Sequence, residues 1–241
     1  METSSGASEV LVVGAGLSGL VAATTLHAAG RRVAVWEARD RIGGRCWSPA
    51  VGPDAVSVAR GAAWPWTQPE RVRALARRLG LGRVRQHEPG VAVQEWSEDA
   101  PVEHFQWPDS PPPSWRLVGG TQALHERLAA MLPDAALCLR HRLQSLRRAG
   151  EGVEGTAQTP NGPRTAAFDA AVLAVPPRLA AHTLAFSPAL PDALATALRT
   201  TTTWMSPSAK AAVTYDRPFW PANGLAGRVR SAVGPVHAWT G

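Results

Sequence analysis

The strongest constraint on this chain is the stretch VLVVGAGLSGL, in which Gly14, Gly16 and Gly19 follow an apolar run at residues 9–13 and open a segment of small and apolar residues at 17–29. A G-x-G-x-x-G pattern carries weight only in this context, after a strand and at the start of a helix. Gly14 permits the tight turn, Gly16 lets the backbone approach a pyrophosphate, and Gly19 lets the helix pack closely on the sheet. The helix N-terminus then offers N–H groups and a partial positive charge to phosphate oxygens. Gly30 stops the helix, residues 32–36 (RVAVW) form a second strand, and Glu37 closes it. An acid about 20 residues after the glycines accepts hydrogen bonds from ribose hydroxyls. The unit is βαβ, whose crossover makes its two strands parallel. A glycine-rich turn without a ligand would need no acid at that place.

Glu37 is followed by ARDRIGGR, ending at Arg45. Gly43 and Gly44, flanked by arginines, make a second loop where backbone can approach phosphate, and Arg45 can fork onto its oxygens. A plain nicotinamide-dinucleotide unit does not need this extension.

Composition narrows the partners. The formal net charge is +6, which raises nucleic acid as a partner. The basic residues are scattered, however, and their densest spots are pairs such as Arg77-Arg78 and Arg147-Arg148. No nucleic-acid motif accompanies them, so none is expected to bind. Of the 25 Lys plus Arg, Lys210 is the one lysine. Lysine is a compact ammonium whose environment shifts its proton affinity, a property arginine lacks. No run of about 18 apolar residues is present, so no membrane span is expected. Residues 1–8 lack the basic and apolar regions of a signal peptide, and a cytoplasmic protein is expected. Cys46 and Cys138 are far apart, have no metal-ligand spacing and make no disulfide framework. The seven histidines show no metal spacing, and no metal is expected.

Along the rest of the chain, TQPE at 67–70 is a capping-box pattern that predicts a helix to residue 79, stopped by Gly80. A short strand is expected at 90–96, a proline-rich loop at 107–115 and a helix capped by Thr121 running to 132. Residues 137–146 read as extended. Residues 152–159 and 164–168 pair across Asn161-Gly162, a hairpin signal. The apolar run AAVLAV at 170–175 reads as a strand buried on both faces, ended by Pro176-Pro177. A helix is expected at 191–200 and a strand at 209–215.

The two glycine motifs together resemble the flavin-containing amine oxidase superfamily, whose second FAD signature is similar to EARDRIGGR at nearly every position. The resemblance extends along most of the chain. RGAAW at 60–64 resembles the glycine-containing loop beside the flavin ring, with Arg60 where the family has a more apolar or acidic residue. WRLVGGTQALHERL at 115–128 resembles a Gly-Gly segment and capped helix. Residues 139–146 resemble the strand whose backbone receives the adenine, with Leu143 where the family has valine. AAVLAVPP resembles the strand and proline turn that return to the cofactor. Lys210, followed by YDRPFW, resembles the lysine strand and its aromatic ending.

The resemblance implies noncovalent FAD, held by Gly14, Ala15, Gly16, Leu17, Ser18, Gly19, Glu37, Ala38, Arg39, Gly43, Gly44, Arg45, Gly61, Ala62, Ala63, Trp64, Leu143, Ala174 and Pro176. It implies a catalytic role for Lys210, holding a water at flavin N5, and Trp64, Trp66 and Trp220 are candidates for lining a substrate pocket. The expected fold class is α/β: an FAD-binding Rossmann-like parallel sheet of the glutathione reductase type, interleaved with a smaller mixed α+β substrate domain. Residues 1–66 and 116–178 are assigned to the FAD-binding domain, and 67–115 and 179–241 to part of the substrate domain. The implied reaction is oxidation of a small-molecule amine to an imine, with oxygen as acceptor and hydrogen peroxide as product. Relatives carry a helical insertion around residues 80–113 and continue beyond the aromatic ending with further substrate-domain strands. A fragment is therefore expected, and a homo-oligomer or a completing partner chain stays open. Two alternatives stand beside amine oxidation: an FAD-dependent desaturase or isomerase of a lipid-like substrate, and a noncatalytic FAD-binding remnant.

Overall fold

Val10, Leu11, Val12 and Val13 are all buried, as are Val33, Ala34, Val35 and Trp36. Strands with no polar face belong in the middle of a parallel sheet covered on both sides. A computed structural model of the chain describes residues 9–52, 56–62, 70–106, 115–203, 209–213, 215–234 and 236–239. In chain order its first elements are β1 (Glu9–Val13), α1 (Leu17–Ala28), β2 (Arg32–Trp36), β3 (Ala50–Val51), β4 (Val56–Ser57), α2 (Glu70–Arg78), β5 (Arg83–Arg85), β6 (Val91–Glu95), β7 (Glu103–Phe105), β8 (Trp115–Leu117) and α3 (Gln122–Ala129). They are followed by β9 (Leu137–Cys138), β10 (Arg142–Ala149), β11 (Gly152–Thr159), β12 (Gly162–Phe168), β13 (Ala170–Leu173), α4 (Pro177–Thr183), β14 (Ala185–Ser187), α5 (Asp192–Thr200), β15 (Leu225–Ser231) and β16 (Val236–Trp239). The mixed α/β class and its parallel sheet agree with the expectation from sequence.

Two compact units emerge, residues 1–48 with 122–210 and residues 49–121 with 211–241. In the first, the parallel sheet has the order β13-β1-β2-β9. Helix α1 crosses between β1 and β2 and ends at Gly30, whose φ is 76°. There the Arg31 N–H reaches back to the Leu26 carbonyl at 3.0 Å, closing the helix in the manner glycine allows. Antiparallel strands β10, β11 and β12 form a meander, and β14 joins it parallel to β10. That pairing places residues 185–187 in the first unit. The core lies between the two sheets: Leu11, Val13, Ala34 and Trp36 from one meet Leu143, Leu146, Ala157 and Phe168 from the other. Trp36 and Phe168 meet edge to face with ring centroids 5.4 Å apart. Gly155 permits the approach, since a Cβ there would come within 3.1 Å of Leu11 and 3.3 Å of Trp36.

The second unit contains a four-stranded sheet of order β16-β15-β6-β7 and the two-stranded pairs β3–β4 and β5–β8. Strand β6 pairs in parallel with β15, far along the chain. Arg228 of β15 meets Glu88 at 2.8 Å with both side chains largely buried, and the Ser231 hydroxyl donates to Glu95.

Several expectations need correction. The run at 170–175 is not buried on both faces: β13 is the edge of its sheet, with Val172 36% and Leu173 37% exposed. An apolar run reports low polarity, and position in the sheet is decided by which strand it pairs with. Residues 137–146 are not continuously extended, because Arg140 at φ 57° separates β9 from β10. Residues 209–213 form no strand, since a strand needs a ladder and no described strand pairs with them. Trp115 starts β8 instead of ending a loop. The capping residues 67–69 and the proline-rich 107–114 lie outside the described residues. Among the described residues no helix is long and apolar enough to cross a membrane, and no group of His, Cys, Asp or Glu is placed to hold a metal ion.

Candidate cofactor site

The glycine turn is built at the carboxyl end of β1. Gly14 adopts φ 103°, and its N–H donates to the Trp36 carbonyl at 2.8 Å. A side chain there would come within 3.1 Å of the Ala174 carbonyl oxygen. At Gly19 an added Cβ would overlap the Gly14 carbonyl oxygen and lie 3.2 Å from Ala174 Cβ, so α1 can sit this close to the turn only without a side chain. Gly16 differs: nothing lies within 4 Å of where its Cβ would be. It is the N-cap of α1, in extended conformation, and no side chain caps the helix. The first turn of α1, with Leu17, Ser18 and Gly19, thus offers main-chain N–H groups beside open space. These are the two things a phosphate needs there.

Glu37 is 5% exposed. Its Oε2 accepts from the Ala15 N–H at 2.8 Å and its Oε1 from the Arg39 N–H at 2.9 Å. A carboxylate offers about four lone-pair directions, so two remain for a ligand's hydroxyls. Ala38 and Arg39 are exposed just beyond it.

The second glycine loop packs on the first. The Gly43 N–H donates to the Ala15 carbonyl at 2.9 Å. Gly44, at φ 54°, lies so close to Gly16 that its Cβ would stand 3.3 Å from Gly16 Cα. Arg45 follows, exposed. The structure therefore brings together Gly14, Ala15, Gly16, Gly19, Glu37, Arg39, Gly43, Gly44 and Ala174. Pro176 precedes α4 two residues further on. Leu143 lies in β10 with its side chain buried in the core, beside an irregularity of the ladder between Leu143 and Ser145.

The remaining expected site residues are not among these. Gly61 and Ala62 belong to the second unit, where the Thr121 hydroxyl donates to the Ala62 carbonyl at 2.6 Å. Ala63, Trp64 and Trp66 fall outside the described residues. Lys210 is exposed in an irregular stretch and is the last residue of the first unit. Trp220 continues an edge-to-face series with Phe219 and Tyr215, with centroids 5.4 and 5.2 Å apart. Arg41 stands inside the motif between Glu37 and Arg45, with its guanidinium on the Ile42 and Gly44 carbonyls. Gln122, inside the 115–128 segment, also reaches this loop, with its Oε1 2.7 Å from where a Gly43 Cβ would be.

A parallel sheet with an uncapped helix over a glycine turn and a buried acid at the end of the next strand defines a dinucleotide-binding α/β protein. Residues 12–79 match the model of the NAD(P)-binding Rossmann-like domain, and residues 111–240 match that of the flavin containing amine oxidoreductases. The chain belongs to the flavin-containing amine oxidoreductase family. The family makes the cofactor a flavin, and the dinucleotide-binding turn makes it FAD.

A putrescine oxidase of Kocuria rosea is 47% identical over 85 residues, which are 35% of this chain and 17% of that protein. The flavin-containing amine oxidase B of Homo sapiens is 39% identical over 80 residues, 33% of this chain and 15% of that one. The matched stretches are thus under a fifth of either relative. The fold of putrescine oxidase bound to putrescine superposes with a TM-score of 0.77 at 20% identity, over 96% of this chain and 71% of the other. Cyclohexylamine oxidase from Brevibacterium oxydans gives 0.73 at 18% identity, over 94% of this chain and 70% of that one.

Proposed function

We propose that this chain binds FAD noncovalently and serves the oxidation of an amine to an imine, with oxygen as acceptor and hydrogen peroxide as product. The observation that carries the reading is the double cradle, in which Gly44 packs on Gly16 beside the uncapped N-terminus of α1 while Glu37 holds the turn. Bound FAD supplies the redox chemistry, accepting hydride from the carbon next to the amine nitrogen. The residues supply place and charge. Leu17, Ser18 and Gly19 give N–H groups to the pyrophosphate, and Arg45 forks onto its oxygens. Glu37 would take the ribose hydroxyls with its remaining lone pairs, and the backbone at Leu143 would receive the adenine. Ala174 and Pro176 would bring the β13 turn to the cofactor. Lys210 would hold a water for hydrolysis of the imine. Cys46 closes the phosphate loop, its N–H on the Gly43 carbonyl at 2.8 Å. The first unit would carry the cofactor and the second would meet the amine, in the cytoplasm. Because putrescine oxidases stand among the relatives, a short aliphatic diamine is the first substrate to test.

The test is spectroscopic. The purified chain, reconstituted with FAD, should be yellow, and putrescine added without oxygen should bleach it. Air should restore the colour and release peroxide. Yellow protein that no amine bleaches would sink the amine reading, and protein that stays colourless with FAD would sink the cofactor reading.

A further inference from the structure

We propose that Arg41 is a positioning residue that sets the anion-binding side of the second glycine loop, an inference that rests on the FAD reading above. An arginine beside two glycines invites the role of direct phosphate ligand. The side chain is turned the other way. Its Nη1 donates to the Ile42 carbonyl at 3.1 Å and to the Gly44 carbonyl at 3.3 Å, and its Nη2 donates to the Gly44 carbonyl at 3.3 Å. The guanidinium carbon stands 4.7 Å from the centroid of the Trp47 ring, which covers its face. Burial holds its pKa below the ordinary arginine value, with Arg39 adding to the lowering and Glu37 and Asp40 opposing it. Arginine nevertheless remains a cation at any working pH.

Peptide geometry gives this arrangement a consequence. In a trans peptide the carbonyl and the following N–H point to opposite sides. With the Ile42 carbonyl on the guanidinium, the Gly43 N–H must leave the loop on the far side, and there it meets the Ala15 carbonyl at 2.9 Å. With the Gly44 carbonyl on the same guanidinium, the Arg45 N–H is aimed to that far side as well, where Gly44 packs on Gly16. One side chain thus gathers the Ile42 and Gly44 carbonyls away from the open space at Gly16, so that the Gly43 N–H ties the loop to Ala15 and the Arg45 N–H is left for an anion. Two carbonyl oxygens rotated toward a pyrophosphate would repel it, and holding them back requires a fork that reaches both. Arginine offers that fork, and lysine, a point charge, does not.

The test uses the full chain with Arg41→Gln and Arg41→Lys. Its readouts are FAD affinity from flavin fluorescence, competition by adenosine diphosphate and by adenosine, and thermal unfolding without ligand. Arg41→Gln is expected to weaken FAD and adenosine diphosphate by about 10- to 100-fold, the range of a lost charged hydrogen bond. Adenosine, which carries no pyrophosphate, should compete as it does with the wild type. Arg41→Lys should recover only part of the loss, and it carries the test alone if the glutamine variant does not fold. Equal FAD affinity in wild type and variants would overturn the inference. So would a parallel loss for all three ligands that follows a lowered unfolding temperature, because that is a fold defect. A wild-type chain that binds no FAD would remove the cofactor reading and this inference together, whereas normal wild-type binding with unaffected variants removes this inference alone.

Discussion

The Ala15 N–H donates to Glu37 Oε2 at 2.8 Å, so the glycine turn and the acid at the end of β2 are one hydrogen-bonded unit before any nucleotide arrives. Replacing Glu37 with alanine leaves that buried N–H without its acceptor. A buried donor left unsatisfied costs about 1–3 kcal/mol. Glu37→Ala should therefore lower the urea midpoint of the ligand-free chain as well as its FAD affinity. Glu37→Gln should not restore either, since one amide oxygen cannot accept from both Ala15 and Arg39 while its NH2 faces the second donor. An unchanged midpoint in ligand-free Glu37→Ala would show that the acid serves the nucleotide alone.

Gly16 and Gly19 look equivalent in the motif and are not equivalent in the structure. A Cβ on Gly19 meets the Gly14 carbonyl, whereas a Cβ on Gly16 meets nothing. Gly16→Ala should fold like the wild type and lose FAD affinity, because its methyl fills space the phosphate needs. Gly19→Ala should lose stability by about 1–3 kcal/mol, the cost of overpacking a tight contact. Paired unfolding and FAD titrations separate the two. Two variants that fall together in both measurements would contradict the distinction.

The parts legible in the sequence were those set by near neighbours. Residues 9–37 carry a strand, a turn, a helix and an acid in one continuous pattern. The 152–168 hairpin is announced by Asn161-Gly162, and Thr159 Oγ1 donates to the Gly162 carbonyl at 2.7 Å to close it. What the sequence withheld depends on distant partners. Val172 and Leu173 read as core because nothing local says that β13 has only β1 beside it among the described strands. Strand β15 went unread because its partner β6 lies about half the chain away and its residues, LAGRVRS, have no clean alternation. Arg41 was read as one more cation of a basic motif, because where a side chain turns within a loop is decided by carbonyls the sequence does not display.

The ion pair between Glu88 and Arg228 ties β15 to the loop before β6. Both side chains are about 15% exposed, so removing Arg228 leaves a largely buried carboxylate whose next cation, the exposed Arg85, stands 4.0 Å away. Arg228→Met should destabilise the chain by about 3 kcal/mol, as breaking a buried pair does. The double variant with Glu88→Gln should regain part of that loss. Denaturant unfolding measures both, and a single variant as stable as the wild type would mean that solvent already screens the pair.

Lys210 is the single lysine of the chain, which makes it chemically addressable apart from the N-terminus. If it holds a water beside the cofactor, FAD should slow its acetylation, and the protection should appear without any turnover. Lys210→Met should then reduce reoxidation by oxygen about tenfold or more, the range expected for loss of one positioned group. Anaerobic reduction by amine should change less. Lys210→Arg should not rescue the rate, since a planar guanidinium places its donors differently and does not give up its proton. Stopped-flow traces of the two half-reactions separate these steps. Equal rates in Lys210→Met, together with acetylation that FAD does not slow, would assign the lysine to the surface and leave the cofactor reading to the glycine cradle alone.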